Sequence, residues 1–487
     1  MHQIELFMKY PNEVQEECFE KHILSGQETE FGKLHGFDDI KKYSEFTQRV
    51  PIQTYDSLKP WIERTRKGEQ HLLWPTEVKW FAKSSGTTSD KSKFIPVTEE
   101  SLKDCHYKAG KDMITLYCNN YPEHQLFTGK NLALGGSHQT DEFDNYESYQ
   151  GDVSAIVIQN LPFWADMFRA PNVDIALLSE WNEKLVRIAE TTKNENVVSL
   201  AGVPSWMIVV LRKVLEVSGK NLIREIWPNL EVYFHGGVNL NPYRPQLNEL
   251  LGKNINYLEL YNASEGFFGI QDQKSKSDLL LMLDYGIFYE FISAAYWNSE
   301  NPKALQLHEV SLRQQYAMVI TTTGGLWRYS IGDTIEFTSL LPYRFRITGR
   351  TKSFINVFGE ELMEGNADKA LQITCEKTNS VINEYTAAPQ FAENKSAAYH
   401  QWAIEFIKPP ADISYFAEVL DNTIKALNSD YEAKRYSNHI LHPLKITAVQ
   451  SGVFSQWLKN KGKLGGQHKV PRLSNERKFL DEILSIR

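Results

Sequence analysis

Residues 80–98 read WFAKSSGTTSDKSKFIPVT, the most informative stretch of the chain. It offers Ser84, Ser85, Gly86, Thr87, Thr88 and Ser89, then Lys91 and Lys93. Hydroxyls and exposed N–H groups around a glycine can wrap phosphate oxygens, and lysines neutralise their charge. No Gly-Lys-Ser/Thr triplet follows at the spacing of a Walker loop, and the segment is not G-x-G-x-x-G either. Taken alone, such a loop is more often an ordinary turn. Thr98, followed by Glu99 and Glu100, reads as a helix start with acids in its positive first turn.

Working outward, residues 258–271 read LELYNASEGFFGIQ. A strand would deliver Tyr261 to a loop holding Ser264, Glu265 and Gly266. An exposed aromatic face can stack on a purine, and a loop carboxylate beside phosphates can hold Mg²⁺ through oxygen. A capped strand end with a surface Glu is the simpler reading of that segment by itself. Residues 319–337, VITTTGGLWRYSIGDTIEF, read as strand, Gly-Gly loop, strand, tight I-G-D turn, strand. Asp333 at the turn could accept both ribose hydroxyls, because an ionised carboxylate is a bidentate acceptor. Asp is also a common turn residue that bonds its own backbone.

The rest of the chain bounds the class of protein. At 487 residues it has length for two to four domains and needs no disulfide or metal to stabilise a core. Lys and Arg total 53 against 61 Asp and Glu, a net charge of −8, which argues against a general nucleic-acid binder or a polybasic membrane protein. Hydrophobic residues at 42% and charged residues at 23% match a globular protein rather than a disordered one. Cys18, Cys105, Cys118 and Cys375 form no C-x-x-C pair, so a zinc ribbon or a secreted disulfide framework is not expected. Acids interrupt the N-terminal segment where a signal peptide would be apolar. The longest uncharged apolar stretch, 197–211, is broken by Gly202 and Pro204 and is too short to span a bilayer. The expected compartment is a reducing cytoplasm.

The first eighty residues read as helices, and beyond them short strands alternate with helical stretches, an α/β pattern. Strands are expected at 131–134, 197–200, 230–234, 257–261, 318–322 and 334–338. A helix is expected after Pro204, with Ser205 as its N-cap and Gly219 as its stop. Ligands gather beyond the carboxyl ends of strands in such sheets, where HGGVN, NASEG and TTGG fall. A domain boundary is expected near Arg350. The basic stretch 459–478, with its glycines and a proline, reads as a mobile loop or a solvated basic tail. His138, His235 and His308 lack ligand spacing, and Trp164 and Trp206 read as core.

In order and spacing, SSGTTSDKSKFIP, YNASEGFFG and TTTGGLWRYSIGD resemble the three nucleotide motifs of the GH3 family of acyl-acid amido synthetases. That family belongs to the adenylate-forming superfamily, with acyl-CoA ligases, luciferases and peptide-synthetase adenylation domains. HGGVN before the second motif, TGR after the third, and NSDYEAKR and GGQHKVPR near the end extend the likeness over most of the chain. The resemblance implies a large α/β and β-barrel domain over 1–350 and a smaller mobile α+β domain over 351–487. Ser84, Ser85, Gly86, Thr87 and Thr88 would surround the ATP phosphates. Gly236, Gly237 and Val238 would line the adenine, and Tyr261 would stack on it. Ser264 would touch the α-phosphate, Glu265 would ligate Mg²⁺, and Asp333 with Arg350 would hold the ribose. Lys469 would reach the α-phosphate and the carboxylate during adenylation. The helix after Thr98 would line the acid site.

The implied activity is a two-step ligase. A carboxylate attacks the α-phosphorus of ATP and releases pyrophosphate; the amine of an amino acid then attacks the acyl carbon and releases AMP. An acyl-CoA ligase and a non-catalytic nucleotide-binding homologue are the alternatives. YNASEGFFG departs from the Y-G-x-T-E form of CoA ligases, and GGQHKVPR replaces their P-K-T-x-S-G-K tail. Asp90 stands where a glycine often precedes the lysine, and NVFGEEL is closer to the acyl-CoA ligase hinge. A monomer with neither nucleic-acid nor membrane partners is expected.

Overall fold

The chain begins as helices, His2–Lys9, Pro11–Gly26, Glu30–His35, Tyr43–Arg49 and Tyr55–Arg66, whose apolar faces gather Phe31, Phe37, Phe46 and Trp327. Trp327 lies edge-on to Phe37 at 4.7 Å, and its indole N–H donates to the Leu73 carbonyl at 2.9 Å. A Cβ on Gly26 would sit 2.7 Å from the Trp327 ring, so only glycine lets the helix approach. The computed structural model describes residues 1–84, 93–136, 138–143, 146–237, 240, 243–252, 254–297, 299, 301–351, 354–355, 360, 362–391, 398–435, 441–462 and 469–486. For 84, 138–143, 163–164, 205, 429–430 and 433 the description covers the backbone alone.

Two compact units divide the chain, Met1–Val238 with Glu249–Arg346, and Asn239–Asn248 with Ile347–Arg487. A twelve-stranded sheet dominates the first. Five of its strands are parallel: Lys130–Ala133, Arg169–Ala170, Val197–Gly202, Val232–Gly236 and Asn256–Ala263. Numbered in that chain order, they lie side by side as 2-1-3-4-5. Asn256–Ala263 then turns into antiparallel Gly266–Ile270, and the sheet continues through Leu279–Leu281, Tyr343–Arg350, Tyr329–Leu340, Gln315–Thr322, Ile287–Ser293 and Ala304–Gln306. A four-stranded sheet carries the first motif, in the order Lys93–Val97, Trp80–Ser84, Tyr146–Gly151, His138–Phe143.

The second unit is α+β. Val381–Phe391, Ala398–Lys408 and Lys445–Val449 form its sheet. Helices Glu364–Thr378 and Ile413–Leu427 bury Leu371, Phe416 and Leu420 with Trp402 and Tyr385 of that sheet. Asp412 caps the second helix by accepting from the backbone N–H of Ser414 at 2.7 Å. Among the described residues, no helix is long and apolar enough to cross a membrane.

Two local expectations change. The helix Pro204–Ser218 has Val203 as its N-cap and Pro204 at its first position, so Ser205 lies inside it. Proline suits that position because its missing N–H would have no intrahelical partner there. Gly219 does end the helix, in the left-handed region at φ 68°. The I-G-D segment is no turn between two strands. Tyr329–Leu340 runs on through it, and Ile331, Gly332 and Asp333 bulge opposite the single residue Met318. Gly332 at φ 83° supplies the backbone freedom that the bulge needs.

The start of that strand is pinned from beneath. Arg328, at φ 44°, places its guanidinium on the Glu290 carboxylate, with Nη2 at 2.8 Å and Nε at 3.0 Å, and donates to the Val50 carbonyl at 2.6 Å. Tyr43 donates to the same carboxylate at 2.7 Å. Both ion-pair side chains are nearly excluded from solvent, at 5% and 0% exposure. Removing one partner strands the other charge, so Glu290→Ala should cost about 3–5 kcal/mol. Replacing both, as Arg328→Met with Glu290→Leu, should cost clearly less. Urea unfolding of the two variants checks the order, and equal losses would contradict the assignment.

Candidate nucleotide site

The three motifs meet through the strand Tyr329–Leu340. Tyr261, on Asn256–Ala263, donates its hydroxyl to Asp333 Oδ2 at 2.6 Å. The bulge brings Asp333 into this contact and leaves it half-buried. From the first motif, Lys93 Nζ lies 3.4 Å from the Tyr329 hydroxyl. Thr98, beyond the same strand, donates to the Thr323 carbonyl at 2.9 Å and accepts from the Ser101 N–H at 3.0 Å. The helix start and the TTGG loop are thereby joined. Gly324 lies so close that a Cβ would stand 2.9 Å from the Pro96 carbonyl oxygen.

Tyr261 differs from its expected exposure. Its ring is 6% exposed and packs on Phe268 at 4.9 Å and Phe345 at 6.0 Å. Those two rings pack against it, and the hydroxyl is the end that meets Asp333. Gly236 closes the strand Val232–Gly236, where a Cβ would come within 2.4 Å of the Leu260 carbonyl oxygen. Gly237 follows at φ 82° and is exposed. Ser264 and Glu265 form the half-buried turn between Asn256–Ala263 and Gly266–Ile270. Ser84 ends the strand Trp80–Ser84, opposite Lys93. Ser85, Gly86, Thr87, Thr88, Asp90, Lys91 and Val238 lie outside the described residues, as does the side chain of Ser84. Among the described residues, no three His, Cys, Asp or Glu side chains gather as a cation site. A Mg²⁺ ion completed by phosphate and water needs only one or two carboxylates, and Glu265 offers one.

The helix after Thr98 is wound as a π-helix over Ser101–Tyr107 and as an α-helix over Lys108–Asn120. Cys105 accepts from the Phe267 N–H at 3.2 Å, tying this helix to the residue just past the Ser264–Gly266 turn. Burial pushes the Cys105 thiol up to about 12 and His106 down to about 4, so both are neutral near pH 7. Lys108 meets Asp284 at 2.7 Å, and Tyr285 donates to Asp112 at 3.0 Å. His235 is buried between Tyr233 and Tyr257, His308 is exposed, and the side chains of His138 and Trp164 are outside the description. Trp206 is half-buried and edge-on to Trp181 at 4.8 Å.

Sequence reading missed Lys184. The 2-1-3-4-5 order puts a switch point between Lys130–Ala133 and Val197–Gly202, where a ligand crevice opens in such sheets. The loop 134–136 at that point is held by Lys184 Nζ, 2.6 Å from the Gly135 carbonyl and 2.9 Å from the Gly136 carbonyl. Gly136 also donates to Ser154 at 3.0 Å. Burial lowers Lys184 from 10.5 to about 8, opposed by Asp152. Its only sequence signal is a lysine on the inner face of the helix Trp181–Thr192.

In the second unit, Arg350 ends the strand Tyr343–Arg350 and is half-buried, while Lys469 is exposed. The stretch 459–478 is not a solvated tail throughout. Val470, Arg472 and Leu473 are buried, because the backbone there pairs beside Ala387.

The fold is that of adenylate-forming ligases. A GH3.15 acyl acid amido synthetase superposes with a TM-score of 0.79 at 16% identity, covering 97% of this chain and 93% of that one. A 2-hydroxyisobutyryl-CoA ligase in the postadenylation state superposes at 0.60 with 12% identity, covering 97% and 90%. The GH3 family N-terminal domain matches residues 1–255, the central domain 280–350 and the C-terminal domain 365–478. This chain belongs to the GH3 family. Similar relatives include the indole-3-acetic acid-amido synthetase GH3.3 of Arabidopsis thaliana, 23% identical over 94% of this chain and 89% of that protein. The indole-3-acetic acid-amido synthetase GH3.8 of Oryza sativa subsp. indica is 22% identical over 91% and 85%.

The lowered Lys184 titration gives a signed pH dependence. Between about 8 and 10.5 the unfolded chain holds a proton that the folded chain has released. Stability therefore rises with pH across that window, and the gain is lost as pH falls through the folded value. Relative to Lys184→Met, the native chain should gain stability from pH 8 to 10.5 in urea unfolding. Parallel pH curves would contradict the placement.

Proposed function

We propose that this chain is an acyl-acid amido synthetase that adenylates a carboxylic acid with ATP and passes the acyl group to an amino acid. The hydrogen bond from Tyr261 to Asp333 carries the reading, because it orients a half-buried carboxylate where the first and third motifs meet. An ionised carboxylate has about four acceptor sites on two oxygens, so it can take ribose hydroxyls beside that bond. The names of the GH3 relatives support an amide product.

Ser84, Ser85, Gly86, Thr87 and Thr88 surround the phosphates, with Lys93 as a cation at the end of their loop. Gly236, Gly237 and Val238 line the adenine beside Tyr261. Asp333 and Arg350 hold the ribose. Ser264 meets the α-phosphate and Glu265 ligates Mg²⁺, which would spread the charge of the phosphoryl oxygens. A carboxylate oxygen of the acid bonds to the α-phosphorus, and pyrophosphate leaves. During that displacement Lys469 stabilises the charge that develops on the phosphoryl oxygen, a positioning and electrostatic task without a protein nucleophile. After the smaller domain rotates, a neutral amine bonds to the acyl carbon, its proton passes to solvent, and the C–O bond to AMP breaks. The four free cysteines suit a reducing cytoplasm, and a monomer suffices for every role named.

The first test is exchange of labelled pyrophosphate into ATP with Mg²⁺ and a panel of acids including indole-3-acetic acid and 2,4-DB. At least one acid should support exchange. Silence across a broad panel, with tight AMP binding, would instead favour a non-catalytic homologue. Asp333→Ala should raise KM for ATP about 10–100-fold, the scale of hydrogen bonds to a charged group, with little change in kcat. An unchanged KM with a collapsed kcat would remove Asp333 from the ribose.

The acceptor separates this reading from a CoA ligase, whose fold it shares. An amino acid needs a small cleft and one cation, whereas CoA needs cations for a 3′-phosphate and a diphosphate. AMP release should accelerate with one or a few amino acids, and mass spectrometry should find their N-acyl conjugates. Efficient acyl-CoA formation with every amino acid inert would overturn the amide half alone.

A further inference from the structure

Three residues after Lys469, the second unit buries a guanidinium among carboxylates. Arg472 Nη1 donates to Asp368 Oδ1 at 2.6 Å, and its Nε lies 3.6 Å from Glu384 and 3.9 Å from Glu364. Tyr385 donates to the same Asp368 oxygen at 2.7 Å, and its ring lies 5.1 Å below the guanidinium. Tyr243 reaches Glu384 at 3.4 Å. Arg472 and Asp368 are each about 5% exposed. One buried arginine for three carboxylates is expensive unless its hydrogen bonds are well made, and burial raises the Glu384 pKa accordingly.

The backbone docks as well. Thr386 donates to the Pro471 carbonyl at 2.7 Å, the Ala387 N–H to the Arg472 carbonyl at 2.8 Å, and the Ser474 N–H to the Ala387 carbonyl at 3.1 Å. Val470 is buried beside Phe454 and Trp457. Residues 471–474 thus dock beside Ala387 through a bridge at Leu473, and Lys469, three residues before Arg472, is exposed. Three peptide units span at most about 10 Å, so the side chain of Arg472 sets where Lys469 can stand.

We infer that Arg472, clamped by Asp368, is the positioning residue for Lys469. It grips the segment from inside the unit, three residues from the lysine. This rests on the adenylation role given to Lys469 above.

Asp368→Asn tests it while keeping the shape and the acceptor oxygen. Amide hydrogen exchange across 469–474 should quicken at least tenfold, while the helix Ile413–Leu427 is unchanged. With whichever acid of the panel exchanges fastest, pyrophosphate exchange should fall about 10–100-fold, the scale of a misplaced catalytic group. Amide formation from supplied acyl-adenylate should stay near the native rate. Lys469→Ala should slow exchange about 10²–10³-fold, and the double variant should be no slower than Lys469→Ala alone. Arg472→Lys, which keeps the charge and loses the fork, should fall between native and Asp368→Asn. A slow Lys469→Ala with an additive double variant, or equal damage to both half-reactions, would overturn the inference. Native exchange in Lys469→Ala would instead overturn the role of the lysine itself.

Discussion

A buried guanidinium sets the geometry beneath the candidate nucleotide site. Arg328 sits at a positive φ that a long side chain rarely adopts, and its bonds to Glu290 and the Val50 carbonyl keep it there. The strand that starts at Tyr329 therefore leaves at one angle. Gln53 reinforces it with a backbone rung on each side, from its N–H to the Arg328 carbonyl and from the Ser330 N–H to its own carbonyl. Three residues later the bulge opposite Met318 presents Asp333 to Tyr261. The N-terminal helices thus support the candidate site from beneath: they hold Trp327 and Arg328, which set the start of the strand carrying Asp333, and Tyr55 accepts from the Phe94 N–H at 2.9 Å.

Local patterns of a few residues were legible in the chain. The strands that carry Gly236, Tyr261 and Asp333 follow from alternating or continuous apolar runs, and Gly219 marks its helix end. The order of three loops and two tail signatures pointed to the family that the domain matches show. Pairings between distant residues were not legible. Arg328 and Glu290 are 38 positions apart, and Arg472 and Asp368 are 104 apart, so no local period reveals either ion pair. The same limit explains Arg472 itself: seven cations in a Gly-rich stretch look solvated until a carboxylate pocket is known to receive one of them. The sequence leaves Gly332 ambiguous, because a positive-φ glycine before Asp serves a turn and a bulge equally well.

In the proposed mechanism, charged groups of the two units would have different tasks. Asp333, held by Tyr261 in the first unit, would be oriented before any ligand arrives, and preorganisation of that kind favours binding in ground and transition states alike. In the second, Lys469 lies three residues from the buried Arg472, which under the proposed mechanism would suit a cation that helps at one step and then withdraws. The adenylate-forming fold serves thioester and amide ligases alike, so the fold leaves the acceptor open. The departures at YNASEGFFG and GGQHKVPR carry that choice.

In the proposed two-step reaction, a carboxylate oxygen of the acid bonds to the α-phosphorus before an amine attacks the acyl carbon. A carboxylic acid labelled with ¹⁸O in both carboxylate oxygens tests this most directly, with ATP, Mg²⁺ and an accepted amino acid. One labelled oxygen should appear in the phosphate of AMP, and the amide should keep the other. Unlabelled AMP, or label in inorganic phosphate with ADP as the nucleotide product, would contradict the account.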